Sequence, residues 1–214
     1  MGIRQQRLIA ALALLGARSR HFLAGRLWPD SSEAQAAGSL RASVFQVNHQ
    51  LPNLLCFSND SLFLDPAVTV DFQQVRWLIA DIENAGAEVS AASTDVLRDA
   101  DLLPGWYDDW VIFEQERFQQ QRLEALENLA KHFLFIGDLN HAIDAAHVAA
   151  SIEPLRESAQ LILLRGHLEA GNTAWALRAF HEFRTKLRNE LGVSPSRRFT
   201  ELLELQTVAE PPMP

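Results

Sequence analysis

Five histidines in the second half of the chain have side chains that could coordinate a metal ion. They are His132, His141, His147, His167 and His181. A zinc site on a helix needs two histidines four residues apart beside a glutamate, and no pair in this set has that spacing. The histidines therefore indicate polar helix faces or a groove, and we expect neither a metal nor another cofactor.

Four carboxylates lie close together in the sequence and could form a pair for acid–base catalysis. They are Asp108, Asp109, Glu114 and Glu116. Acidic residues at the beginning of a helix interact favourably with the helix dipole, which is the simpler interpretation. The sequence shows no Ser–His–Asp order, no P-loop and no glycine-rich dinucleotide loop. We therefore expect that the protein is not an enzyme.

A group of polar residues in the first fifty positions has the chemistry for contacting DNA. Arginines neutralise phosphates, and glutamines hydrogen-bond to adenine edges. Arg18 and Arg20 could reach the DNA backbone, and Ser39 could touch a phosphate. The other candidates lie on the side of a predicted helix that is expected to be exposed: Arg41, Ser43, Gln46, His49 and Gln50. A merely solvated helix face is the alternative interpretation.

Phe45 lies beside these polar residues and has two interpretations. An exposed phenylalanine could face a thymine methyl group in the major groove. Burial against another domain would equally explain a large apolar side chain at this position.

The elements that would position these residues are three helices followed by a β-hairpin. Hydrophobic periodicity and capping residues predict helices at residues 4–15, 20–28 and 33–50, with Ser19 as the N-cap of the second helix. Strands at 54–58 and 61–64 would flank a turn at Asn59 and Asp60. This order is that of a winged helix-turn-helix, in which the helix after the second turn enters the major groove.

The second half of the chain repeats itself at a spacing of 34 residues. Gly137-Asp138 is echoed by Gly171-Asn172, and apolar residues match on both sides of the two turns. This period is typical of tetratricopeptide helix–turn–helix units, which stack into a groove that binds a partner. An ordinary helical bundle with a coincidental glycine spacing is the alternative.

The remaining segments are predicted to be mostly helical. Residues 71–99 form a connector that begins with a helix and continues through a stretch rich in small residues, with a short helix expected at 94–100. Long and terminal helices are predicted at 110–136 and 198–208, and residues 210–214 are expected to be disordered.

Charge is unevenly distributed along the 214 residues. The net charge is −8, of which residues 1–75 contribute +1 and residues 76–214 contribute −9. The whole molecule therefore does not supply long-range attraction to nucleic acid, and the N-terminal part must carry any DNA binding. The single cysteine, Cys56, excludes an intrachain disulfide, and no apolar run is long enough for a membrane span. We expect a cytoplasmic protein without a membrane partner.

Two segments resemble the SARP/AfsR-type bacterial transcriptional regulators. Residues 103–110 read LPGWYDDW with EQER at 114–117, and residues 184–195 read RTKLRNELGVSP. The resemblance covers residues 4–206. It implies a mainly α protein with a reduced winged helix at 1–70 and a tetratricopeptide-like bacterial transcriptional activator domain at 100–208. Promoter DNA would be one partner, and the helical domain would form a homodimer, contact RNA polymerase or bind a signal.

The N-terminal part departs from the family in two ways. Family members usually begin with a small β-sheet, whereas this sequence begins almost directly on its first predicted helix. Their third helix usually carries several cations, whereas Arg41 is the single cation of this one. A second hypothesis is therefore a non-DNA-binding adaptor or ligand sensor. Its winged helix would be an interaction surface, and its helical groove would hold a peptide, a protein or a small ligand.

Overall fold

The structure, a computed structural model, describes residues 1–84 and 90–208 of the chain. Within these ranges the chain is mainly α-helical, as predicted, and contains ten helices and one small antiparallel sheet. It divides into two units, the first built from Met1–Trp77 with Tyr107–Val111 and the second from Leu78–Trp106 with the residues from Ile112 onward. No helix in the described ranges combines the length and apolar character needed to cross a membrane.

The first unit contains three helices and three short strands. Their bounds are α1 Ile3–Leu15, β1 Arg18–Ser19, α2 Arg20–Leu27, α3 Glu33–Gln50, β2 Leu55–Ser58 and β3 Ser61–Leu64. The helices and the hairpin lie within about one residue of their predicted positions. Strand β1 was not predicted, because two residues are too few for a periodic pattern.

Strand β1 adds a third strand to the hairpin. The sheet has the order β1-β3-β2, and Arg18 pairs with Leu62 while Ser19 pairs with Ser61. The sheet covers one end of a core formed by α1, α2 and α3. Its most deeply buried large apolar side chains are Leu8, Leu12, Leu23, Leu27, Leu40, Val47 and Leu62.

The second unit is built from helices, and two of them extend across both units in sequence. The bounds are α4 Asp71–Glu83, α5 Ala91–Arg98, α6 Asp109–Phe135, α7 Leu139–Ile152, α8 Glu157–Glu169, α9 Thr173–Leu191 and α10 Arg197–Val208. Part of the small-residue stretch in the predicted connector, residues 85–89, lies outside the described ranges. The tail predicted to be disordered, residues 210–214, also lies outside them.

Helix α5 begins three residues before its predicted start and ends two residues before its predicted end. Ser93 and Thr94 are buried inside it, so small polar residues that favour loops in isolation are here part of a packed helix face. Arg122 of α6 fixes the end of this helix, because its guanidinium donates to the carbonyl oxygens of Leu97 and Arg98 and lies 2.7 Å from Asp101 Oδ1.

The two repeated turns have the same backbone geometry. Gly137 and Gly171 have φ angles of 79° and 76°, in the left-handed region that glycine adopts most readily. The amides of these glycines bond to the carbonyl oxygens of Leu134 and Leu168, three residues earlier in each case. Each turn therefore ends one helix and allows the next to begin, which gives the two predicted helix–turn–helix units.

Candidate nucleic-acid interface

Helix α3 is positioned by a cap at its beginning and by an apolar stripe along its length. Ser32 accepts a hydrogen bond from the amide of Gln35, and the Gln35 side chain accepts one from the amide of Ser32. Such a capping box satisfies two amides that the helix itself leaves unpaired. The stripe, formed by Ala36, Leu40, Val44 and Val47, is buried as α3 packs against α1 and α2.

The opposite face of α3 carries four of the predicted DNA-contacting side chains. Arg41, Gln46, His49 and Gln50 are exposed, as predicted. Within the described ranges, Arg41, Gln46 and Gln50 make no side-chain hydrogen bond or ion pair. Their donors and acceptors therefore point into solvent, where a ligand can reach them.

The prediction that Ser43 lies on the exposed side of α3 is wrong. Ser43 is 1% exposed, and its hydroxyl donates to the carbonyl oxygen of Ser39 at 2.9 Å. It lies between Leu40 and Val47 on the buried stripe. Its small side chain fits there because the hydroxyl is bonded within α3 and needs no partner from another helix. Ser39, one turn earlier, is half-buried and stays a predicted phosphate contact.

The two other predicted contacts, Arg18 and Arg20, lie where α1 is followed by β1 and α2. Arg18 is exposed, and its guanidinium donates to the carbonyl oxygen of Ala17 and lies 5.8 Å from the centre of the Phe22 ring. Arg20 is half-buried, with its guanidinium 5.2 Å from the centre of the Phe57 ring. The structure thus brings Arg20 to strand β2 of the hairpin.

Two exposed aromatic rings complete this surface. Phe45 is 68% exposed, and its ring is nearly parallel to that of His49, with 6.4 Å between the ring centres. Phe57 was not singled out from the sequence, because strand alternation places it on the same face as the buried Leu55. It nevertheless lies near the hairpin turn, where the Arg20 side chain covers it only in part.

The hairpin has little positive charge of its own. Its turn consists of Asn59, with a φ of 53°, and Asp60, and both residues are exposed.

Burial and the neighbouring Asp65 carboxylate raise the pKa of the Cys56 thiol, which donates to Asp65 at 3.6 Å. A raised pKa favours the protonated thiol, which is a weaker nucleophile than the thiolate.

Comparisons with known proteins concern both the helical region and the complete fold. Residues 80–205 match the family described as bacterial transcriptional activator domain. The comparison with curated protein sequences finds no match. The structure of Mycobacterium tuberculosis EmbR, in complex with a low-affinity phosphopeptide, is similar with a TM-score of 0.70 at 19% identity. The similarity covers 98% of the present chain and 60% of the EmbR chain, and at this identity it concerns the fold.

Proposed function

The chain belongs to the bacterial transcriptional activator domain family, and on this basis we propose that it is a cytoplasmic transcriptional regulator of the SARP/AfsR type. In this proposal α1, α2, α3 and the three-stranded sheet act as a winged helix that binds promoter DNA. The helical unit forms a homodimer, contacts RNA polymerase or binds a signal.

The exposed face of α3 is the observation that supports DNA binding. Gln46 and Gln50 lie one helical turn apart and carry amides with no partner in the described ranges. An amide can bond to both the N6 and N7 positions of adenine, and the exposed Phe45 ring can pack on a thymine methyl group. This combination favours a site that contains A·T pairs.

Phosphate contacts in this proposal come from three arginines. Arg41 projects from α3, whereas Arg18 lies on β1 and Arg20 is the first residue of α2, beside the hairpin. Phosphate contacts fix the position of a protein on DNA, and base contacts select the sequence. The arginines therefore supply most of the affinity, and Gln46, His49 and Gln50 supply the preference for one promoter over another.

The test is DNA binding by the complete chain at low and moderate salt, with Arg41→Ala and Arg178→Ala compared with the wild type. Arg178 is exposed on α9 and controls for the loss of one positive charge. We expect Arg41→Ala to weaken binding on all sequences and to lower the salt slope by about one, whereas Arg178→Ala leaves both unchanged. Absence of binding at low salt excludes DNA as the partner.

A second candidate function is that of an adaptor whose N-terminal unit binds protein. The exposed Phe45 favours it, because aromatic side chains are enriched in protein interfaces whereas phosphate contacts need more cations than α3 offers. The adaptor predicts a protein complex that is lost in Phe45→Ala and kept in Arg41→Ala. DNA binding that Arg41→Ala weakens selects the first function instead.

A further inference from the structure

A cleft of about 430 Å³ lies between α2 and α3 within the first unit. Small side chains form its floor, with Ala24 and Gly25 on α2 facing Ala36 and Ala37 on α3. These residues let the two helix backbones approach each other but leave the space above them unfilled. A methyl group added at Gly25 would meet no atom within 4 Å, so the space above this residue is open.

Two arginines border this cleft. Arg41 contributes from α3, and its guanidinium lies back along the helix, 3.8 Å from the point where a side chain on Gly38 would begin. Arg20 contributes from α2. The other polar side chains at this end of the cleft include the Glu33 carboxylate and the His21 ring, which lie 3.5 Å apart. The cleft therefore carries a net positive charge.

An aromatic wall adds to the apolar floor. Trp28, the residue that follows α2, lines the cleft and is half-buried. Ligand sites in proteins commonly measure roughly 300–1,000 Å³ and combine apolar walls with a few polar groups that fix orientation. Guanidinium groups bind carboxylates through paired hydrogen bonds, and indoles stack on flat rings.

We propose that the cleft between α2 and α3 binds a small aromatic carboxylate, with its ring on the alanine and glycine floor beside Trp28 and its anion held by Arg20 and Arg41. Because both arginines are also assigned to DNA phosphates, a bound ligand competes with DNA. This second step rests on the proposed DNA-binding function, whereas ligand binding itself does not.

The first experiment measures binding of 2-naphthoate to the complete chain by isothermal titration calorimetry, without DNA. We expect saturable binding at one site, at least tenfold weaker for the neutral analogue 2-naphthalenemethanol. Arg41→Gln should also weaken 2-naphthoate binding at least tenfold. Gly25→Leu, which fills the open space, should abolish it.

Two controls distinguish an effect of filling the cleft from an effect on folding. Ala34→Leu introduces the same leucine side chain at an exposed position of α3 outside the cleft and should leave the affinity unchanged. Leucine favours a helix over glycine, so Gly25→Leu should keep the far-ultraviolet circular dichroism of the wild type. If the circular dichroism of Gly25→Leu differs from that of the wild type, the binding measurements with Arg41→Gln and with the neutral analogue still test the proposal.

No saturable binding of 2-naphthoate overturns the proposal, as does equal binding by Gly25→Leu or by the neutral analogue. The second experiment adds 2-naphthoate to a DNA-binding titration. We expect the DNA affinity of the wild type to fall at least fivefold at saturating ligand, with no change for Gly25→Leu. Bound ligand with unchanged DNA affinity overturns the competition. A chain that never binds DNA excludes the proposed function and leaves the calorimetric result intact.

Discussion

At the residue scale, Ser43 and Gln46 are three positions apart on α3 but have opposite environments. Ser43 is buried and bonded to the Ser39 carbonyl oxygen, whereas Gln46 is exposed with no side-chain hydrogen bond in the described ranges. We expect Gln46→Ala to weaken binding to a preferred promoter about tenfold, because a good amide–adenine pair contributes about 1–3 kcal/mol. Ser43→Ala should change the affinity less than about twofold.

Fluorescence anisotropy with one promoter fragment and one unrelated fragment measures both effects. Loss of a base contact lowers the affinity for the preferred fragment and leaves the unrelated fragment unchanged. An equal loss on both fragments would instead indicate that Gln46 contacts the backbone. A large effect of Ser43→Ala on affinity at unchanged stability would contradict its assignment as a buried residue.

His167 provides a pH-dependent contribution to stability. Its ring stacks on Trp175 with 3.5 Å between the ring centres, and burial together with the neighbouring His147 lowers its pKa below the usual 6.5. The unfolded chain therefore binds a proton at this position more readily than the folded chain does. Protonation of His167 should therefore lower the free energy of unfolding as the pH decreases below about 6.5. Well above that value His167 should contribute no pH dependence.

Urea denaturation of the wild type and of His167→Gln between pH 5 and pH 7.5 checks this contribution. The substitution should reduce the loss of stability on acidification, because glutamine does not titrate. His181→Gln removes an exposed histidine from α9 and serves as the matched control. A pH dependence that is the same in all three proteins would contradict the role assigned to His167.

Some residue-level features of the site could be predicted because they depend on neighbours in sequence. Ser19 caps α2 by accepting from the amide of Phe22, which lies three residues later. The burial of Ser43 could not be predicted in this way. The width of the buried stripe depends on how closely α1 and α2 approach α3, and the apolar spacing alone does not define it.

At the element scale, the two glycine turns both require a left-handed backbone conformation. Gly171 has a φ of 76°, and a side chain there meets no atom within 4 Å, so its constraint comes from the backbone and not from packing. We expect Gly171→Ala to lower the free energy of unfolding by about 1–2 kcal/mol, the cost of a left-handed conformation with a Cβ atom. Gly171→Asn should cost less, because asparagine tolerates this region.

Urea denaturation followed by circular dichroism compares the two variants at the same position. A Cβ atom at this position meets no neighbouring atom in either variant, so a difference in stability between alanine and asparagine reports their backbone preferences. The same pair of substitutions at Gly137, with a φ of 79°, should give the same order. An alanine variant as stable as the wild type at either turn would contradict a strict need for the left-handed conformation.

The elements that sequence could not define are those that depend on distant contacts. Helix α5 ends where Arg122, more than twenty residues later, bonds to its last carbonyl oxygens. Strand β1 exists because Arg18 and Ser19 pair with residues of β3. Both features depend on tertiary structure, whereas the long helices and the hairpin follow from periodicity and turn residues.

At the scale of the whole molecule, charge limits how strongly DNA can be bound. The net charge of −8 arises from residues 76–214, so the DNA-binding surface must act against the charge of the rest of the chain. Three arginines, Arg18, Arg20 and Arg41, are the predicted cationic contacts to phosphates. Their number sets the salt dependence, because each neutralised phosphate releases condensed counterions.

We therefore expect the logarithm of the DNA affinity to fall with the logarithm of the salt concentration with a slope of about −2.7 per chain, which corresponds to a loss of about 40-fold between 50 mM and 200 mM salt. Asp60→Lys, at the exposed hairpin turn, should raise the affinity and steepen the slope by about one. The backbone carbonyl of Asp60 accepts from Arg20, and this bond does not depend on the side chain. Glu182→Lys makes the same charge change on α9 and should leave the slope unchanged. Equal effects of the two substitutions would mean that net charge, and not the hairpin, determines the affinity.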